Sequence, residues 1–232
     1  MPKTSFTNGR WLKWNVFFEL TDLLTCPSCG PTHGLVLLVE EVEDRRVRTG
    51  WLGCPNCRHD YPVTGGVADL RLEPAASSES RARFIETDDD DELALKVLAL
   101  LNLDEQRGFV LVDERIAHAA TTVSELAPEL EVIAVSSTPS DLDHARGVSR
   151  VLAEQPFPLV EFKLPGVAIA PGGNPQLVAA AARLVATGGR LALFDATAED
   201  IEEAKRSGLA ILAAESGTAV AERKLDSLPI VG

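Results

Sequence analysis

Long apolar runs, basic side chains and cysteines are all scarce in this 232-residue sequence, and each scarcity removes a class of function. The longest uncharged apolar stretch, near Val167–Val185, is broken by Pro171, Gly172, Gly173, Asn174 and Pro175. Nothing reaches the ~20 residues needed to span a bilayer, so no membrane role is expected. Residues 1–10 are polar and have no apolar core of the kind a secretory signal carries, so a cytoplasmic location is expected. Lys and Arg total 22 against 35 Asp and Glu, a net charge of −13. A direct grip on nucleic-acid phosphate, which needs clustered cations, is therefore not expected. The four cysteines fall in two close pairs, and without an export signal they point to metal rather than disulfides. No internal repeat, P-loop or nucleophile–base motif is present. What remains is an ordinary globular composition, 45% hydrophobic and 25% charged, which excludes wholesale disorder.

The residues that are present divide unevenly. All three Trp, the single Tyr and all four Cys precede residue 62. Residues 1–72 hold eight acidic and eight basic side chains, residues 73–92 a net charge of −6, and the rest a net −7. This predicts a small unit over 1–72, an acidic linker over 73–92 and a second domain over 93–232. Asp91 and Glu92 suit the first turn of a following helix, where negative charge favours the helix dipole.

In the first unit, Cys26-Pro27-Ser28-Cys29-Gly30 and Cys54-Pro55-Asn56-Cys57 are two C-x-x-C turns separated by 24 residues. Two thiolates on such a turn can face one ion, and four complete a tetrahedral zinc shell with no open position for catalysis. Cys26, Cys29, Cys54 and Cys57 are thus the candidate ligands of one structural zinc per chain. The alternatives are a redox C-x-x-C or an iron–sulfur site; a redox motif would be expected once, ahead of a helix, and that context is missing. His33 and His59 flank the pairs and are read as surface or supporting residues. Leu35–Val39 and Val47–Leu52 are predicted strands joined by a charged turn at Glu43–Arg46, completing a zinc-ribbon pattern. Leu23-Leu24-Thr25-Cys26-Pro27-Ser28-Cys29 and Gly53-Cys54-Pro55-Asn56-Cys57, continuing into Tyr61-Pro62-Val63-Thr64-Gly65-Gly66-Val67-Ala68-Asp69-Leu70-Arg71, resemble the Trm112-like family of zinc ribbons over about residues 16–72. Gly65 and Val67-Ala68 replace that family's usual Asp and Ile-Pro. The resemblance implies a partner role, since family members solubilise and activate S-adenosylmethionine-dependent methyltransferases.

The second domain alternates helix and strand. Helices are predicted at 92–103, 117–126, 148–154, 175–186 and 198–207. Strands are predicted at 108–113, 131–136, 159–164, 166–170, 190–195, 210–214 and 218–223. This predicts a doubly wound, mostly parallel α/β sheet. Gly188-Gly189 is expected to end the alanine-rich helix. Leu184-Val185-Ala186-Thr187-Gly188-Gly189-Arg190-Leu191-Ala192-Leu193-Phe194-Asp195 and the closing hairpin at 208–224 resemble class I methyltransferases, over about residues 93–224. That resemblance implies S-adenosylmethionine as cofactor, with Asp113 at the end of the first strand as a cofactor-binding residue.

Three departures oppose cofactor binding. The turn after the first strand, Asp113-Glu114-Arg115-Ile116-Ala117-His118, has no glycine where the backbone must approach the cofactor. The second strand ends in Ser136-Ser137 rather than an acidic residue. The glycines of Ala170-Pro171-Gly172-Gly173-Asn174-Pro175 lie in a different loop. Asp113 can equally cap the following helix, and Arg115 and His118 can face some other anion. The reading that follows is a zinc-binding, non-catalytic methyltransferase-like protein that binds a protein partner, such as a methyltransferase or a second copy of itself. Trp11, Trp14, Phe17 and Phe18 either dock that partner or pack within the chain. The alternative is an active methyltransferase with an atypical cofactor site.

Overall fold

The computed structural model describes residues 16–72, 89–103, 107–138, 146–154 and 157–225. Trp11, Trp14 and residues 73–88 of the expected linker lie outside these. Seven short strands come first: β1 (Val16–Phe17), β2 (Thr25–Cys26), β3 (Gly30–Gly34), β4 (Val36–Glu43), β5 (Arg46–Gly53), β6 (Asp60–Thr64) and β7 (Val67–Asp69). Then follow α1 (Asp90–Leu101), β8 (Gly108–Val112), α2 (Ala120–Leu126), β9 (Leu130–Ser136), β10 (Val148–Leu152) and β11 (Leu164–Ile169). The chain closes with α3 (Pro175–Leu184), β12 (Val185–Leu193), α4 (Ala198–Arg206), β13 (Ala210–Glu215) and β14 (Thr218–Glu222).

Twelve of these strands form one sheet, ordered β1-β5-β6-β7-β10-β9-β8-β11-β12-β14-β13, with β4 on the other side of β5. The six neighbours β7, β10, β9, β8, β11 and β12 all run parallel. Antiparallel strands flank them on both sides. Counting from β8, the order begins 3-2-1-4-5, as in doubly wound folds, and ends in an antiparallel hairpin. Strands β1 and β4–β7 of the first unit therefore continue the α/β sheet, while β2 and β3, which hold the first cysteine turn, form a separate two-stranded sheet. The seam is the parallel pairing of Val67, Ala68 and Asp69 with Arg150, Val151 and Leu152.

Strand alternation separates two cores. Val110 and Val112 of β8 face Leu93, Val97 and Leu101 of α1, whereas Leu111 faces the layer that holds Val178 and Ala181 of α3. Leu20, Leu24, Leu52, Tyr61 and Leu70 join that second layer. Among the described residues, the β10-to-β11 connection contains no helix. The first unit packs there instead. Leu24 bridges Leu159, Thr25 N–H donates to the Pro158 carbonyl and Val160 N–H donates to the Leu23 carbonyl, both at 2.9 Å.

The helices carry local start signals. Asp89 accepts from the Asp91 N–H at 2.9 Å, ahead of an acidic first turn in α1. Asn174 caps α3 before Pro175, and Thr197 with Asp200 forms a capping box on α4.

Three expectations are corrected. Residues 148–154, predicted as a helix, contain the fully buried strand β10, held between β7 and β9. The buried polar residues Ser149 and Arg150 break the continuous apolar pattern expected of such a strand. Residues 159–163, predicted as strand, hold an isolated bridge from Leu159 to Leu24 rather than a strand, and β11 begins at Leu164. Gly188-Gly189 does not end the helix but lies within β12. Gly188 adopts φ +78°, and a Cβ on Gly189 would sit 2.9–3.0 Å from the carbonyls of Pro165, Ala186 and Leu164. The pair thus makes the kink that lets β12 press on β11.

Candidate functional site

Two C-x-x-C turns converge because β2 and β3 carry one and β5 leads into the other. At the first, Gly30 takes φ +88°, a conformation glycine adopts freely. At the second, the Arg58 N–H donates to the Cys54 carbonyl at 2.8 Å and the Cys54 N–H to the His59 carbonyl at 2.9 Å. The four Sγ atoms of Cys26, Cys29, Cys54 and Cys57 all lie within 4.8 Å of one another. Cys26–Cys57 and Cys29–Cys54 are 3.7 and 3.8 Å apart, far beyond a disulfide bond, and all four are free thiols. A tetrahedron with metal–sulfur arms of ~2.3 Å has edges of about 3.8 Å, so this cluster can hold one metal ion.

Polar groups surround the sulfurs. The Tyr61 hydroxyl is 3.4 Å from Cys26 Sγ, and the Asn56 amide donates to Cys29 Sγ at 3.3 Å. Such hydrogen bonds orient sulfur ligands and stabilise their negative charge. The backbone N–H of Cys57 is the main cause that draws the Cys54 thiol down to about 6. At Cys57 the His59 N–H acts in the same direction, but desolvation and the three neighbouring sulfurs push the thiol up to about 12. Desolvation, followed by Cys26, lifts Tyr61 to about 12, so its hydroxyl keeps its proton. His59 is exposed and stacks on the Tyr61 ring at 4.6 Å, while His33 bonds Thr32 at 3.1 Å; neither belongs to the sulfur cluster.

The second place of interest is the point where strand order reverses, between β8 and β11. Open α/β sheets bind ligands just outside the carboxyl ends of such strands. Here the chain's own side chains join across that crevice. Arg115, in the turn after β8, donates to the Ala170 carbonyl after β11 at 2.9 Å and to Asp195 after β12 at 2.7 Å. A Cβ on Gly172 would come within 2.7 Å of the Arg115 guanidinium. Glu114 accepts from the Ser137 N–H and hydroxyl after β9, at 3.1 and 2.9 Å. Asp113 is buried and accepts from the Ala170 N–H at 2.9 Å and the Arg115 N–H at 3.2 Å. Desolvation is the main cause that raises it to about 6, against the pull of the Ala170 N–H. His118 lies 3.7 Å from Asp90, across from α1, and desolvation lowers its pKa. It does not join Arg115 in a shared site.

The missing glycines of this turn are legible in the sequence, but Asp195 and Ser137 as partners of Arg115 and Glu114 are not. Both pairs span loops that meet only in the folded sheet. The expected docking aromatics part company: Phe17 packs against Phe109 with ring centroids 6.1 Å apart, while Phe18 is exposed.

No protein-family model matches the chain, and no curated protein matches it. Similar solved structures include a chain of the complex between the Haloferax volcanii Trm112 methyltransferase activator and a methyltransferase, at 12% identity and a TM-score of 0.44, covering 61% of this chain and 100% of that one. Precorrin-6y C5,15-methyltransferase from Geobacter metallireducens GS-15 is 17% identical with a TM-score of 0.45, covering 60% of this chain and 91% of that one. The 1,6-didemethyltoxoflavin-N1-methyltransferase of Burkholderia thailandensis is 12% identical with a TM-score of 0.42, covering 59% and 80%. No helix among the described residues is long and apolar enough to cross a membrane.

Proposed function

We propose that this chain is a zinc-stabilised, non-catalytic binding protein, in which a methyltransferase-like α/β unit has exchanged its cofactor crevice for internal contacts. The observation that carries this reading is the Arg115 guanidinium laid from the β8 turn to Ala170 and Asp195, across the switch point. A cofactor entering there would have to displace that ion pair and the Glu114–Ser137 contact, both built from residues within the chain.

Cys26, Cys29, Cys54 and Cys57 are the zinc ligands in this reading. Four cysteines leave no open coordination position, so the metal supplies folding free energy rather than a reacting water. Supporting it are the Cys26–Cys57 and Cys29–Cys54 edges of 3.7 and 3.8 Å, the Asn56 donor to Cys29 and the Tyr61 hydroxyl 3.4 Å from Cys26 Sγ. The Trm112-like motifs of residues 16–72 support a protein partner, a methyltransferase or a second copy, as the target. Asp113 holds the β8 turn against Ala170 rather than a ribose.

Native mass spectrometry tests both halves at once. The chain is expected to carry one zinc, and excess S-adenosylmethionine is expected to add no further mass. A metal-free folded chain overturns the zinc assignment. A retained S-adenosylmethionine adduct overturns the non-catalytic assignment in favour of an active enzyme with an atypical cofactor site.

A further inference from the structure

A cavity of about 440 Å³ lies along α3. Its walls include Leu177, Ala180 and Arg183 of that helix, Phe162 ahead of β11, Ser207 after α4 and Arg223 after β14. Neither the sulfur cluster nor the Arg115 crevice lends it a residue. Cavities of this size accept small organic ligands. The chain as a whole has a net charge of −13, yet among the described residues this lining holds two arginines and no carboxylate. That local excess of positive charge favours an anion.

The end of α3 is prepared for one. Arg223 donates from Nε to the Val185 carbonyl at 2.9 Å and from Nη2 to the Ala182 carbonyl at 2.7 Å. The Phe162 and Lys163 N–H groups donate to the Arg183 and Leu184 carbonyls at 2.8 and 3.0 Å. Four successive carbonyls thus accept hydrogen bonds, which counters the partial negative charge a helix C-terminus presents. Arg183 stands in that last turn, 52% exposed and 3.7 Å from Glu161. An exposed pair at such a distance is weak, and a carboxylate engaging both prongs of the guanidinium can replace it.

Phe162 supplies an aromatic surface. Its ring is half exposed, and its backbone takes φ +59°, the left-handed region that bulky residues avoid. The hydrogen bonds of Phe162 and Lys163 to α3 hold it there, with the ring centre 4.8 Å from the Arg223 guanidinium. A ring fixed in this way offers a stacking surface with little left to order on binding. Leu177 and Ala180 extend the apolar wall.

We propose that this cavity binds a small aromatic carboxylate, with its rings against Phe162 and Leu177 and its carboxylate on Arg183. The site does not depend on the zinc or cofactor readings, and its test reads neither.

The test is ¹H–¹⁵N correlation NMR of the full chain as purified, titrated with 2-naphthoate. Saturable shifts at Phe162, Ala180 and Arg183 are expected, with a Kd of roughly 1 mM or tighter. The neutral naphthalene-2-carboxamide, and acetate, which lacks the rings, are each expected to bind at least about tenfold more weakly. Arg183→Gln, at an exposed position, and Phe162→Gly are each expected to raise the naphthoate Kd at least about fivefold. Glycine adopts the left-handed backbone at 162 without strain, so the Phe162→Gly chain is expected to keep its dispersed spectrum. Absent binding, equal binding of the carboxamide, shifts centred on Arg115 instead, or a Kd unmoved by Arg183→Gln overturns the proposal.

Discussion

Arg46 and Glu131, 85 residues apart in sequence, form a two-pronged ion pair with N···O distances of 2.9 and 2.6 Å that ties β5, the strand leading into the second cysteine turn, to the α/β strand β9. The side chains are only 12% and 9% exposed. Ser149 of β10 donates to the same carboxylate at 2.6 Å and accepts the Phe17 N–H at 2.9 Å. The Arg46 guanidinium also lies 5.2 Å from the centre of the Phe17 ring. The two halves of the chain thus share a sheet, a core and a buried polar network.

Removing one member of that pair leaves a buried charge without its partner. Glu131→Ala and Arg46→Ala are each expected to cost about 3–5 kcal/mol, read from urea unfolding midpoints. Arg46→Met with Glu131→Leu is expected to recover most of that loss, because no charge is left stranded. A double variant as unstable as the sum of the singles contradicts this account.

Metal removal tests how far the two halves act as one. Structural zinc sites contribute roughly 10–16 kcal/mol of apparent binding free energy, comparable with a whole domain's stability. Chelation is expected to shift the thermal transition downward as a single event, with Trp fluorescence and far-ultraviolet circular dichroism moving together. The shared layer of Leu20, Leu24, Leu70 and Leu159 predicts that coupling. An α/β transition that stays put while the cysteine-bearing part melts contradicts it.

Asp113 carries a pH signature. Its carboxyl is raised to about 6 in the fold from a usual value of 3.8. The folded state therefore holds the proton more tightly, and stability falls as pH rises from about 4 to about 6, then levels off. The loss across that window is on the order of 3 kcal/mol. Asp113→Asn is expected to flatten the curve there. The check is urea unfolding of both proteins from pH 4 to 7, and parallel curves contradict the assignment.

Gly189 shows what sequence could and could not reveal. Read locally, Gly188-Gly189 after an alanine-rich run looks like a helix stop, yet its role is set by the backbone of β11 lying against it. Gly189→Ala is expected to cost about 1–3 kcal/mol, since three carbonyls crowd the new methyl group and none can swing away. Thermal denaturation checks this, and a neutral substitution contradicts it.

The same contrast runs through the molecule. The cysteine turns were legible because two-residue spacing fixes two thiolates on one turn, and the glycine-poor turn at Asp113 was legible for a similarly local reason. Strand β10 was hidden, because Ser149 and Arg150 are buried by partners that lie far away in sequence. The union of the two halves through Val67–Asp69 and Arg150–Leu152 was also hidden, since a parallel pairing across some 80 residues leaves no local pattern. Arg115 combines the two cases: the sequence shows a bulky residue, and only the fold supplies Ala170 and Asp195 as its anchors.

The central claim, that internal contacts have replaced the cofactor in that crevice, is tested most directly by calorimetric titration. S-adenosylmethionine and S-adenosylhomocysteine would be titrated in turn into the metal-loaded full chain. No heat of binding is predicted up to millimolar ligand. Saturable binding with a micromolar Kd would contradict the account.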